Sequence, residues 1–146
     1  MNKWEILAWS IAWEGCISLA QKRKSYTLCV VIGNTEIELL EKMKSIIGIG
    51  AIFPTNAKHS KGKPSFNWVI AKIKECYFVL NNIKPFMVSK RKKKIIDLAL
   101  EYCLLSTTKR KPHHSKRIFK TWKEQVRNKR ILEIYNEMKK LNKRGV

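Results

Sequence analysis

The chain has 146 residues, 45% apolar and 10% aromatic, which suits one domain with a real hydrophobic core and excludes a disordered basic tail. Thirty-one Lys and Arg against eleven Asp and Glu leave a formal charge of +20 and a pI near 10.1. A load of that size points to a polyanionic partner, most commonly nucleic acid; no run approaches the ~18 apolar residues of a membrane span and no secretory leader is recognisable. A cytoplasmic, nucleoid-associated or organellar-matrix location is therefore expected, with neither membrane insertion nor export.

In chain order, Trp4 to Trp13 is apolar on nearly every side and predicts a buried helix, stopped at Glu14-Gly15 where glycine is a common terminator. Cys16–Gln21 and Tyr26–Ile32 predict two strands joined by a basic turn at Lys22–Ser25. Asn34 or Thr35 caps the next helix, whose Ile37, Leu40 and Ile47 recur at helical spacing before Gly48. A third strand spans Ile49–Phe53, a polar loop Thr55–Pro64, and a fourth strand Ser65–Ala71 alternates with period two. Lys74–Asn82, Ser89 to about Thr107 and Ser115 to about Asn142 predict three further helices. The expected class is α+β: an αββαββα core of about residues 4–108 with a four-stranded antiparallel sheet, extended by basic C-terminal helices from about 112. One domain is expected over 1–146.

The charge is clustered. Lys22-Arg23-Lys24 and Lys90-Arg91-Lys92-Lys93-Lys94 form two groups, and Lys109 to Arg144 holds fourteen basic residues against three acids. Such clusters suit a surface that tracks phosphates. With Ile17, Leu19, Leu28, Val30, Ile32, Trp68 and Ile70 turned to the core, the opposite sheet face carries Ser18, Ala20, Lys22, Lys24, Thr27, Cys29, Asn67 and Val69. A small, polar, lysine-ended ribbon of that kind suits a DNA major groove. Val31 and Phe53 on the strands, with Lys92, Lys116 and Arg117, complete the expected DNA contacts. Cys16, Cys29, Cys76 and Cys103 show no zinc-ligand spacing and read as reduced thiols; His113-His114 reads as a solvated loop.

Glu14 is the only acid between Glu5 and Glu36. It follows an apolar run and ends a helix, where the macrodipole disfavours an anion. A divalent cation would resolve both conflicts; the plainer reading is an exposed helix-end glutamate.

The segment Leu7-Ala8-Trp9-Ser10-Ile11-Ala12-Trp13-Glu14-Gly15, followed by Cys16-Ile17-Ser18, resembles the motif of the LAGLIDADG homing endonucleases. Leu7, Ala8, Ile11 and Gly15 match, and Glu14 stands where that family keeps a metal-binding Asp or Glu. Two strands, the Asn34-Thr35 helix start, the Ile47-Gly48-Ile49-Gly50 turn, two more strands and Lys84-Pro85-Phe86 follow in the family's order, over about residues 4–105. The resemblance implies a saddle-like sheet and a site-specific endonuclease that makes double-strand breaks with Mg²⁺, for which Mn²⁺ can substitute. A single motif copy implies a homodimer on near-palindromic duplex DNA, with Ala8, Trp9, Ala12 and Trp13 at the contact. Trp9 and Trp13 depart from the small residues many relatives carry, leaving open whether Ala8 and Ala12 form the contact instead and the indoles face the core. By the same resemblance Glu14 and the Gly15 carbonyl ligate the metal, Asn34 holds water at the scissile phosphate and Lys90 stabilises developing charge. Asn34 as a helix cap and Lys90 as a phosphate contact remain the alternatives. A second functional class is a non-cutting DNA-binding regulator or a splicing maturase, with intron RNA as partner.

Overall fold

The computed structural model describes residues 2–23, 25–55, 64–106 and 122–143. Lys24, His113-His114, Lys116 and Arg117, and the predicted start of the last helix at Ser115, lie outside them. Helix α1 (Lys3–Glu14) is capped by the Asn2 side chain, which accepts from the Trp4 N–H at 3.0 Å. It runs without a loop into strand β1 (Gly15–Lys22), which pairs with β2 (Ser25–Asn34). Helix α2 (Ile37–Ile47) leads to β3 (Ala51–Pro54), and β4 (Phe66–Ile70) to α3 (Ile73–Ile83). A 3-10 turn at Lys84–Phe86 precedes α4 (Lys90–Ser106), and α5 (Trp122–Asn142) follows. The sheet is antiparallel throughout, in the order β1-β2-β4-β3, so the expected α+β class and sheet are present.

The sheet's two faces part as the period-two pattern predicts. Ile17, Leu19, Leu28, Val30, Ile32, Trp68 and Ile70 are all buried, in one cluster with Leu7, Ala8 and Ile11 of α1, Leu80 and Ile83 of α3 and Ile95, Ile96 and Ala99 of α4. Helix α5 adds Ile131, Ile134 and Met138 to that cluster. It is tied down by Arg130, whose guanidinium forks onto the Glu101 carboxylate, and by Asn142, which donates to the Ile17 carbonyl at 2.9 Å. Trp122 at its start is 77% exposed: the first turns of α5 present no buried residue before Ile131.

The expectation of a buried α1 is corrected, whereas its stop at Glu14-Gly15 is met. Only Leu7, Ala8 and Ile11 are buried, and the helix leaves a second apolar stripe in solvent: Ile6, Trp9 and Trp13 are 37%, 43% and 77% exposed. The domain lies on one side of the helix, so an all-round apolar sequence is only half covered by its own chain. Gly15 also ends the helix for a reason other than a left-handed turn. Its φ is −94°, and a Cβ there would lie 2.6 Å from the Ile11 Cα. Glycine lets β1 leave the helix across its own last turn.

Candidate nuclease site at the junction of the first helix and strand

Glu14 is exposed at the end of α1. Asn34, the last residue of β2, points its amide Nδ2 at Glu14 Oε2 across 3.5 Å, and its Oδ1 accepts from the Glu36 N–H at 3.0 Å. Asn34 thus turns the chain ahead of α2 through its Oδ1, without taking the cap position expected of it, while its amide faces the carboxylate. The cap position itself is Glu36, which makes no side-chain capping bond.

Within the cluster Lys90–Lys94, Lys92 is the residue held at this junction. Lys92, on the first turn of α4, is 8% exposed, and its ammonium donates to the carbonyls of Ile11, of Ala12 at 3.1 Å and of Gly15 at 2.8 Å. Those are the carbonyls at the C-terminus of α1 and at its junction with β1, where a cation is favoured by the helix dipole and by unmet acceptors. The mismatch around Glu14 therefore has an internal answer: the positive charge at the helix end comes from Lys92. Its expected role as an outward phosphate contact is corrected by this burial. Lys90 is exposed two residues earlier, about 200° around the helix from Lys92. The sequence held the signal: Lys92, Ile95, Ile96, Ala99 and Cys103 share one helical stripe, and all are buried.

Beside Glu14 an open apolar groove of about 700 Å³ runs between α1 and α2. Ile6, Trp9 and Trp13 form one wall, Leu39, Met43 and Ile46 the other, with Trp68 and Asn34 also lining it. Of the four residues expected at a contact with a second chain, Trp9 and Trp13 face out and Ala12 is half-buried. Ala8 is 1% exposed, inside the core, and is removed from that set.

The open sheet face holds Ser18, Ala20, Lys22, Thr27, Cys29, Val31, Phe53, Asn67 and Val69, each out of phase with its buried neighbours. Cys29 is half-buried and its thiol pKa is raised, chiefly by burial, against an opposing pull from Lys22. The four cysteines are free thiols. Burial pushes Cys76 up to about 12 and Cys103 to about 11, so both are inert core groups. Among the described residues no three His, Cys, Asp or Glu converge as a metal site, and no helix is long and apolar enough to cross a membrane.

No family model matches the sequence, and no curated protein matches it. Solved structures do match. An archaeal intron-encoded homing endonuclease complexed with DNA aligns at a TM-score of 0.75 and 19% identity, covering 99% of this chain and 86% of that one. The homing endonuclease I-CvuI in complex with its target aligns at 0.72 and 13% identity, covering 99% and 83%. The LAGLIDADG homing endonuclease I-SmaMI bound to cleaved DNA aligns at 0.65 and 16%, covering all of this chain but 45% of that one. The chain has the fold of the LAGLIDADG homing endonucleases, as the motif at Leu7–Gly15 led one to expect.

Proposed function

We propose that the chain is a site-specific DNA endonuclease that binds a near-palindromic duplex as a homodimer and hydrolyses both strands with Mg²⁺, for which Mn²⁺ can substitute. The observation that carries this reading is the convergence of Glu14, the Gly15 carbonyl, Asn34 and Lys92 at one helix–strand junction. That junction adjoins an open sheet face on a chain of charge +20. Structural neighbours bound to DNA support it.

The donors fit a hard divalent cation: a carboxylate and a backbone carbonyl, both oxygen, with no soft ligand beside them; the Gly15 carbonyl already accepts from the Lys92 ammonium, so its second lone pair is the one left for an ion. Bound there, the ion would supply an activated water and charge for the phosphate in the transition state. This chain's own groups do the rest. Glu14 and the Gly15 carbonyl hold the ion, and Asn34 orients water with the amide that faces Glu14. Lys92 keeps a fixed positive charge at the Gly15 carbonyl and braces the helix end. Cutting two strands needs carboxylates at two closely spaced centres, and among its described residues one chain offers only Glu14 here, so the partner's Glu14 completes the site. The uncharged outward stripe of Ile6, Trp9 and Trp13 is the place where two such basic chains approach with least repulsion. The sheet face, Lys22 and Lys24 meet the duplex, and Lys116 and Arg117 add phosphate contacts.

The test pairs wild type with Glu14→Gln on the host locus lacking the intron, with Mg²⁺. Wild type should cut both strands. Glu14→Gln should bind equally and cut at least about a hundredfold more slowly, since even outer-shell losses cost 10–100-fold. Tight binding with intact DNA from wild type would favour the regulator or maturase reading. Equal cutting by Glu14→Gln would place the active site elsewhere.

A further inference from the structure

The open face of the sheet changes character along its strands. Nearest the Glu14 junction, Gly33, Asn67 and Phe53 lie abreast on β2, β4 and β3. In the next row Cys16, Val31, Val69 and Ala51 lie abreast across all four strands. Beyond them come Ser18 with Cys29, Ala20 with Thr27, and Lys22 with Ser25. The outer rows end in hydroxyls and an ammonium. The inner rows hold apolar side chains, the Cys16 thiol and a single amide.

An apolar row has a definite meaning against a major groove. Guanine, cytosine and adenine present hydrogen-bonding groups and no methyl there, and an apolar side chain pressed on them leaves those groups unpaired. Thymine alone presents a methyl group. Val31, Val69 and Ala51 offer no side-chain donor or acceptor, and Phe53, 54% exposed beside them, extends the apolar surface. Successive rows lie about 6.8 Å apart, the span of roughly two base pairs. The amide fits the same pairs. Asn67 Oδ1 lies only 2.8 Å from where a Cβ of Gly33 would stand, so Asn67 is laid across β2 in space that only glycine leaves. An asparagine amide pairs in bidentate fashion with adenine N6 and N7.

Resting on the reading of this face as a DNA-binding surface, we infer that the inner part of each half-site is A·T. Its thymine methyl groups are read by Val31, Val69, Ala51 and Phe53, and an adenine by Asn67. The outer rows, with Ser18, Thr27 and Lys22, read by hydrogen bonds and carry no such restriction.

Duplexes bound from a randomised library, selected without divalent metal so that cutting does not intervene, should carry A·T at the inner positions. In the selected site, replacing each inner thymine by deoxyuridine removes one methyl and should weaken wild-type binding about fourfold, the cost of one buried methyl group. Val31→Ala and Val69→Ala should lose that sensitivity at their own positions, while Gly33→Ala should relax only the pair read by Asn67. These side chains lie on the open face, so circular dichroism and retained non-specific DNA affinity verify that each variant is folded. Specific sites with inner G·C pairs, or deoxyuridine bound as well as thymine, would overturn the inference and leave DNA binding intact. A protein with no duplex affinity would overturn the DNA-binding reading, and the inference with it.

Discussion

Replacing Lys92 by methionine keeps the aliphatic stem and removes the ammonium. It donates to the carbonyls of Ile11, Ala12 and Gly15. Bonds from a charged donor contribute about 1.5–3 kcal/mol each, and the cost of burying an ammonium takes back several kcal/mol of that sum. The Ile11 carbonyl also accepts from the Gly15 N–H, so it keeps a partner. The Ala12 and Gly15 carbonyls lose the Lys92 donor, and the end of α1 loses its positive charge, itself worth up to about 2 kcal/mol when partly buried. The net loss should be about 2–3 kcal/mol, which for a chain of this length lowers the melting temperature by roughly 6–12 °C. Circular dichroism melts and urea titrations of Lys92→Met, Lys90→Met and wild type measure it. Lys90→Met should melt with wild type. Below the melting range, Lys92→Met should bind DNA but cut poorly, whereas Lys90→Met should cut normally. A Lys92→Met protein as stable and active as wild type, or a Lys90→Met that reproduces its losses, would refute the assignment.

Trp13→Ala should weaken self-association by about three decades, because an anchoring tryptophan is worth some 2 kcal/mol and a two-fold contact uses it twice; light scattering across a dilution series reads this. Unchanged association would move the contact off α1. Gly15→Ala should cost at least about 2 kcal/mol, since the new Cβ meets backbone at 2.6 Å rather than a yielding side chain; a wild-type urea midpoint would contradict it. For Cys76 and Cys103 the fold raises the thiol pKa from 9.0 to about 12 and about 11. Their stabilising contribution is whole below pH 9 and is lost as pH rises through 11 to 12. The urea midpoint should hold from pH 7 to 9 and fall above, and a thiol reagent at pH 8 should label exposed Cys16 quickly and the two buried thiols only on unfolding. Stability unchanged to pH 12 would sink the burial argument.

Much of the molecule follows from local pattern. Alternation in Cys16–Gln21, Tyr26–Ile32 and Ser65–Ala71 sorts side chains between two sheet faces, because a pleated strand leaves no third direction. A lone carboxylate after an apolar run marked Glu14 before any fold was known. Periodicity says which residues share a side but not what covers it. Leu7-Ala8-Ile11 and Ile6-Trp9-Trp13 are both apolar stripes of one helix, and only packing decided that the first meets the core and the second faces solvent. In Lys90-Arg91-Lys92-Lys93-Lys94 five adjacent cations look alike in sequence. Which ammonium turns inward was settled by where the start of α4 lies against the end of α1, seventy-seven residues away from Lys92 at Gly15. The sequence by itself determined that a carboxylate stands at the end of the first helix. The tertiary structure decided which amide meets it and which lysine braces the helix end beside it, because a hydrogen bond across such a separation depends on helix placement that no local spacing encodes.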